Sequence, residues 1–136
     1  MMIELFAAFA LSSAFSAADD IEITKLSEDF YNLELARFEK KLPVRERHER
    51  TAERIAKKAD CKLPTDIGWV HARVDVALEV SPTGRVTRVV PVDTGCRQLE
   101  TYVIEHLTKY AGRDGAVVRN GDKKWYRQAI TFRWPE

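Results

Sequence analysis

The chain of 136 residues has two cysteines, five prolines, six glycines and three histidines. Each scarcity removes a class of chemistry. Two cysteines without spaced histidines do not supply the four ligands of a structural zinc site. His48, His71 and His106 fall on three different predicted elements, none four residues from a second ligand, and read as surface or rim residues. Gly112, Gly115 and Gly121 lack the Lys and Ser/Thr of a phosphate cradle, and no serine sits in a nucleophile elbow. Neither sign of charge dominates: 22 Lys plus Arg against 21 Asp plus Glu leave a net +1. That balance gives no general attraction to nucleic acid or to anionic lipid. Asp75 and Glu79 share one face of a predicted strand, but a hydrolytic carboxylate pair needs a cleft and one raised pKa. The reading is a non-enzymatic protein with no catalytic residue, no metal and no cofactor.

The first eighteen residues, "MMIELFAAFALSSAFSAA", contain no Lys or Arg. The apolar run is shorter than the roughly 20 residues that cross a bilayer. Small residues before Asp19 place a signal-peptidase cut after Ala18, so residues 1–18 are expected to be an export signal. The competing reading is a buried apolar N-terminal helix, favoured by Glu4 standing where a cation is expected. Export leads to a periplasmic or secreted protein with no membrane span after cleavage. In an oxidising compartment Cys61 and Cys96 are expected to form a disulfide. The alternative is two buried thiols.

Residues 19–62 read as a helical segment. Ser27 to Lys41 has an N-cap, early acids and a broad apolar face, and Pro43 ends it. Val44 to Ala59 carries a narrow stripe of Val44, Ala52, Ile55, Ala56 and Ala59, with Glu46–Arg50 and Glu53–Lys57 pairs on a solvated face. Cys61 to Gly68 reads as a linker.

Residues 63–136 read as an α+β domain. From Val70 to Val80 every second residue is apolar, which marks a half-buried antiparallel strand. "SPTGR" turns the chain, with Gly84 free to take positive φ. A second strand, Arg85 to Val92, has Val86, Val90 and Val92 inward, and Pro91 must face an edge or close it. Asp93 or Thr94 caps a helix from Arg97 to Ala111, whose stripe is Leu99, Val103, Ile104, Leu107 and Tyr110. "GRDGAVVRNGDKK" reads as an exposed loop. The last strand, Trp125 to Trp134, has Tyr126, Ile130, Phe132 and Trp134 inward. Trp125, Arg127, Thr131 and Arg133 face outward. The fold expected is a three-stranded antiparallel sheet with one amphipathic helix on a face, preceded by two helices. The free edge of its last strand can accept another strand.

"ARVDVALEVSPTGRVTRVVPVDTGCRQLETYVIEHL" followed by "YRQAITFRW" resembles the C-terminal domain of TonB-family proteins. Pro82, Gly84 and Val86 match the family's corner, Thr94-Gly95 stands at its Ser-Gly position, and Leu99 at its helix start. The family's Phe-Pro-Ala-like segment, membrane anchor and Pro-rich spacer have no counterpart here. The resemblance implies a ββαβ fold and a binding module of the cell envelope, not a full transducer for transport. Family members pair a strand with a segment of an outer-membrane receptor. Carried over, the partner-binding residues are Trp125, Tyr126, Arg127, Gln128, Ala129, Thr131 and Arg133. The competing expectation is a self-associating accessory subunit, such as a homodimer, of an envelope complex.

Overall fold

A computed structural model describes residues 29–112, 115, 117–119 and 124–136. The export signal expected at residues 1–18 lies outside them. The chain divides into a unit Met1–Asn32 and a unit Leu33–Glu136. In the first, the described residues hold a 3-10 turn, Phe30–Asn32. The second is a mixed α+β unit whose described residues form five strands and two helices. In chain order these are β1 (Glu34–Leu35), α1 (Glu46–Lys58), β2 (Thr65–Asp66), β3 (Trp69–Val80), β4 (Val86–Pro91), α2 (Arg97–Ala111) and β5 (Trp125–Pro135).

β3 is the spine of the sheet. It pairs antiparallel with β5 along its whole length, from Trp69↔Pro135 to Glu79↔Trp125. Its other side is shared by β2 near its start and β4 near its end. β1 adds to the far side of β5 in parallel, so the sheet is mixed rather than purely antiparallel. The expected alternation holds on β3: Ala72, Val74, Val76, Leu78 and Val80 are all buried. On β5, Tyr126, Ile130, Phe132 and Trp134 are buried as expected. Leu99, Val103 and Leu107 of α2, with Ala52 and Ala56 of α1, complete the core. The two predicted i,i+4 ion pairs of α1, Glu46–Arg50 and Glu53–Lys57, are both formed.

Three expectations need correction. The first is the helix over Ser27–Lys41. Its described part is a 3-10 turn, the strand β1 and an extended stretch in which Phe38 bridges Val118. The amide of Ala36 donates to the carbonyl of Arg127 (2.9 Å), and that of Glu39 to the carbonyl of Val117 (2.9 Å). Backbone partners outside the segment therefore outweigh a marginal apolar stripe. Residues 33–62 thus fold with the sheet rather than as a helical segment ahead of it, and β2 occupies the expected linker. The second correction is the inner face of β4. The register slips between Glu79 and Val80, a bulge that pairs Val89 with inward-facing Leu78. Val86 and Val89 therefore pack on the core, while Val90 and Val92 turn to the other face. Pro91 closes β4 as required, its nitrogen turned from β3, because the N–H of Val92 takes the Asp75 carbonyl (2.8 Å). The third is the loop after α2, of which Val118 is a core residue.

The SPTGR corner holds because Gly84 sits at φ +85. A side chain there would also meet Val117 Cγ1 at 2.5 Å and the Val118 carbonyl at 2.7 Å. Cys61 and Cys96 form the disulfide, with Cα atoms 5.5 Å apart, and it ties the exit of α1 to the entry of α2. Neither Asp93 nor Thr94 is the N-cap of α2; that residue is Cys96. They order the turn before it: Asp93 accepts the N–H of Gly95 (2.8 Å) and Thr94 that of Cys96 (3.1 Å). Glu100 reaches back to the N–H and hydroxyl of Thr94.

Candidate functional site

The residues expected to bind a partner are those of β5. In an antiparallel ladder, backbone groups point alternately to one neighbour and away from it. Tyr126, Gln128, Ile130 and Phe132 turn theirs toward β3, and Arg127, Ala129, Thr131 and Arg133 turn theirs to the outer side. The donation from Ala36 to the Arg127 carbonyl fixes that phase.

The outer side is partly filled by the chain itself. β1 pairs with Tyr126 and Arg127. The Arg127 guanidinium donates to the Leu33 carbonyl (2.9 Å), and the Gln128 amide donates to the Ala36 carbonyl (2.9 Å). These contacts take Arg127 and Gln128 out of the expected partner surface. Tyr126 is buried in the core, so its side chain is not on the docking surface. Trp125 lies on the face away from the helices, with the Arg88 guanidinium 5.0 Å above its ring. Arg88 and Lys124 flank Glu79, at 3.8 and 3.7 Å, and Arg73 holds Asp75 at 3.0 Å. The two carboxylates of β3 are therefore neutralised surface groups.

Further along, the edge changes character. The N–H of Ala129 donates to the Gln128 side chain (3.0 Å), and that of Arg133 donates to Glu49 Oε2 of α1 (2.6 Å). Between them Thr131 is exposed. Among the described residues no strand pairs with β5 on this side beyond Arg127. A groove of about 450 Å³ runs beside the open stretch, lined by Phe38, Lys41, Leu42, Val44 and Gln128 to Thr131. Val44 is exposed there. Of the seven expected residues, then, Ala129, Thr131 and Arg133 lie on the stretch of edge that no described strand covers, with the Ala129 and Arg133 N–H groups capped by side chains. Trp125, Tyr126, Arg127 and Gln128 are engaged within the fold. The Arg133 guanidinium lies 5.3 Å from the Trp69 ring.

The sequence reading did not name Glu49, and it gave Gln128 a partner-binding role where the side chain instead caps this edge. It also misplaced two histidines, since His48 and His106 are 7% and 4% exposed. Their rings meet edge to face, centroids 4.7 Å apart, where α1 packs on α2. A signal existed: His106 falls seven residues after Leu99 and three after Val103, on the stripe that builds the core. Comparison with protein-family models, with curated proteins and with solved structures finds no match to this chain.

Proposed function

We propose that the chain is a non-enzymatic protein-binding module that works outside the cytoplasm, in the periplasm. It accepts an extended segment of a cell-envelope protein along its last strand. One observation carries the reading: among the described residues no strand lies beside the outer edge of β5 from Ala129 to Arg133, and that edge borders a groove walled by Phe38, Leu42 and Val44. Strand addition draws affinity from backbone groups and specificity from alternate side chains that enter pockets. Thr131 supplies the backbone groups, and Phe38, Leu42 and Val44 supply the apolar wall. The docking stretch is shorter than the TonB-like reading expects, because β1 holds Tyr126 and Arg127. The disulfide suits an oxidising compartment.

β1 pairs with Arg127, so a proline that tests the open stretch belongs at Thr131. Its nitrogen faces away from β3, so the ladder keeps its bonds. A photocrosslinking side chain at Val44, introduced in intact cells, is expected to give one stoichiometric adduct with an envelope protein. Thr131→Pro is expected to remove that adduct while leaving the melting transition in place. An adduct that persists with the proline, or is matched by a crosslinker at exposed Arg54, would rule the edge out. An adduct between two copies of this chain would establish self-association instead.

A further inference from the structure

His48 is the third residue of α1, and its Nδ1 accepts the N–H of Arg45, the residue that caps the helix (2.9 Å). This is the role a Glu or Gln plays in a capping box. With Nδ1 accepting, the neutral ring carries its proton on Nε2, which lies 3.3 Å from the Tyr110 hydroxyl and 3.4 Å from Arg47 Nε. His106 donates from Nε2 to the Pro43 carbonyl (2.8 Å), because a carbonyl only accepts. His48 is thus seated as the neutral form, burial disfavours a second proton on His106, and each ring holds a piece of the chain at the entry to α1. One turn further on, Glu49 holds the N–H of Arg133 on β5.

A second proton has no place here. On His48 it would sit at Nδ1, against the N–H of Arg45, and cancel the cap. The charged groups acting on His48 are Arg45 and Arg47 of α1, Lys109 of α2 and His106 itself, all cationic or able to become so. From β5 the ring of Phe132 faces His106, and Tyr102 and Tyr110 of α2 close the cluster. The neighbouring carboxylates do not compensate: Glu49 is engaged with Arg133, and Glu105 points to solvent.

We infer that His48 and His106 form a pH-sensitive latch, which holds the first turn of α1 on α2 while neutral and releases it on acidification. Release also withdraws Glu49 from Arg133 and lengthens the open edge of β5. That consequence rests on the binding reading above; the latch itself does not. Burial holds both imidazoles below their ordinary value of 6.5, and like charges add to this for His48. The Pro43 carbonyl acts the other way on His106 without reversing it. The sign follows. The released helix takes up protons near pH 6.5 and the closed one does not, so the closed state is fully favoured above that pH and loses ground below it.

Amide hydrogen exchange tests the latch without any partner. Between pH 7.5 and 5.5, above the carboxylate range, protection of the Arg133 amide and of the α1 amides is expected to fall about tenfold, after correction for intrinsic rates. Protection in the strands β3 and β5 elsewhere stays level. His48→Gln with His106→Gln keeps a cap acceptor and a donor to Pro43 but cannot titrate, so its protection is expected to be flat. Flat protection in the native protein, or the same fall in the double variant, would overturn the inference. Should the double variant not fold, imidazole titration by NMR serves: two ordinary midpoints near 6.5, with no α1 amide moving alongside, would also overturn it.

Discussion

Ile67 is a β-branched residue at φ +49, and its side chain is 92% exposed. It forms a two-residue hairpin with Gly68, at φ +78, between the paired Asp66 and Trp69. Positive φ at both central positions favours Asn-Gly. A left-handed conformation costs a non-glycine residue roughly 1–2 kcal/mol, and exposure gives Ile67 no packing to offset it. Ile67→Asn is therefore expected to raise stability by about 1 kcal/mol, read from the shift in urea midpoint at constant slope. The sequence showed Gly68 as the end of a linker. It did not show that the chain would pass through the left-handed region one residue earlier, because β2 pairing with β3 sets that geometry. The buried histidines teach the same lesson. The spacing of His106 matches the apolar stripe of α2, although it was read as a rim residue, and only α1 lying across it made a neutral, seated imidazole of His48.

Among the elements, β3, α1, α2 and β5 were legible because a two-residue or 3.6-residue apolar period spans each of them, and β4 because a valine-rich run follows the SPTGR corner. β1 and β2 have two residues each, too short for any period, and exist because β5 and β3 offer them a ladder. The misread Ser27–Lys41 stretch shows the competition: its local signals suit a helix, while the edge of β5 rewards extension. Val90 was placed inward for a related reason. A bulge shifts every later residue of a strand to the opposite face, and nothing in a run of valines records it. The disulfide joins two elements that the core alone brings together. Closing its loop is expected to stabilise the fold by roughly 3–4 kcal/mol. Cys61→Ser should lower the urea midpoint accordingly, and added reductant should then change nothing more. Equal midpoints for the native protein with and without reductant would remove this contribution.

For the molecule as a whole, stability should depend on pH where most small domains are indifferent. His48 and His106 are both held below the ordinary imidazole value by burial, so the unfolded chain binds more protons than the folded one below about pH 6.5. Stability is expected to be level from pH 8 to 7 and to fall on going to 5.5, measured as the urea midpoint. An unchanged midpoint across that range would mean that neither imidazole is seated as described. The binding proposed at the β5 edge belongs to this scale too, since Phe38, Leu42 and Val44 before α1 line the groove together with the last strand.

The apolar periods and the corner at Gly84 were enough, by themselves, to determine an α+β chain with a long central strand, a helix able to cover it and two cysteines within reach of each other. Periodicity is a local property, and each of those elements carries enough of it. Which edge stays open was decided only by the tertiary structure. Strand pairing joins Leu33–Ala36 to residues some 90 positions away, and Glu49 reaches Arg133 across a similar span. Such bonds depend on where segments distant in sequence come to rest, and no short stretch of residues encodes that.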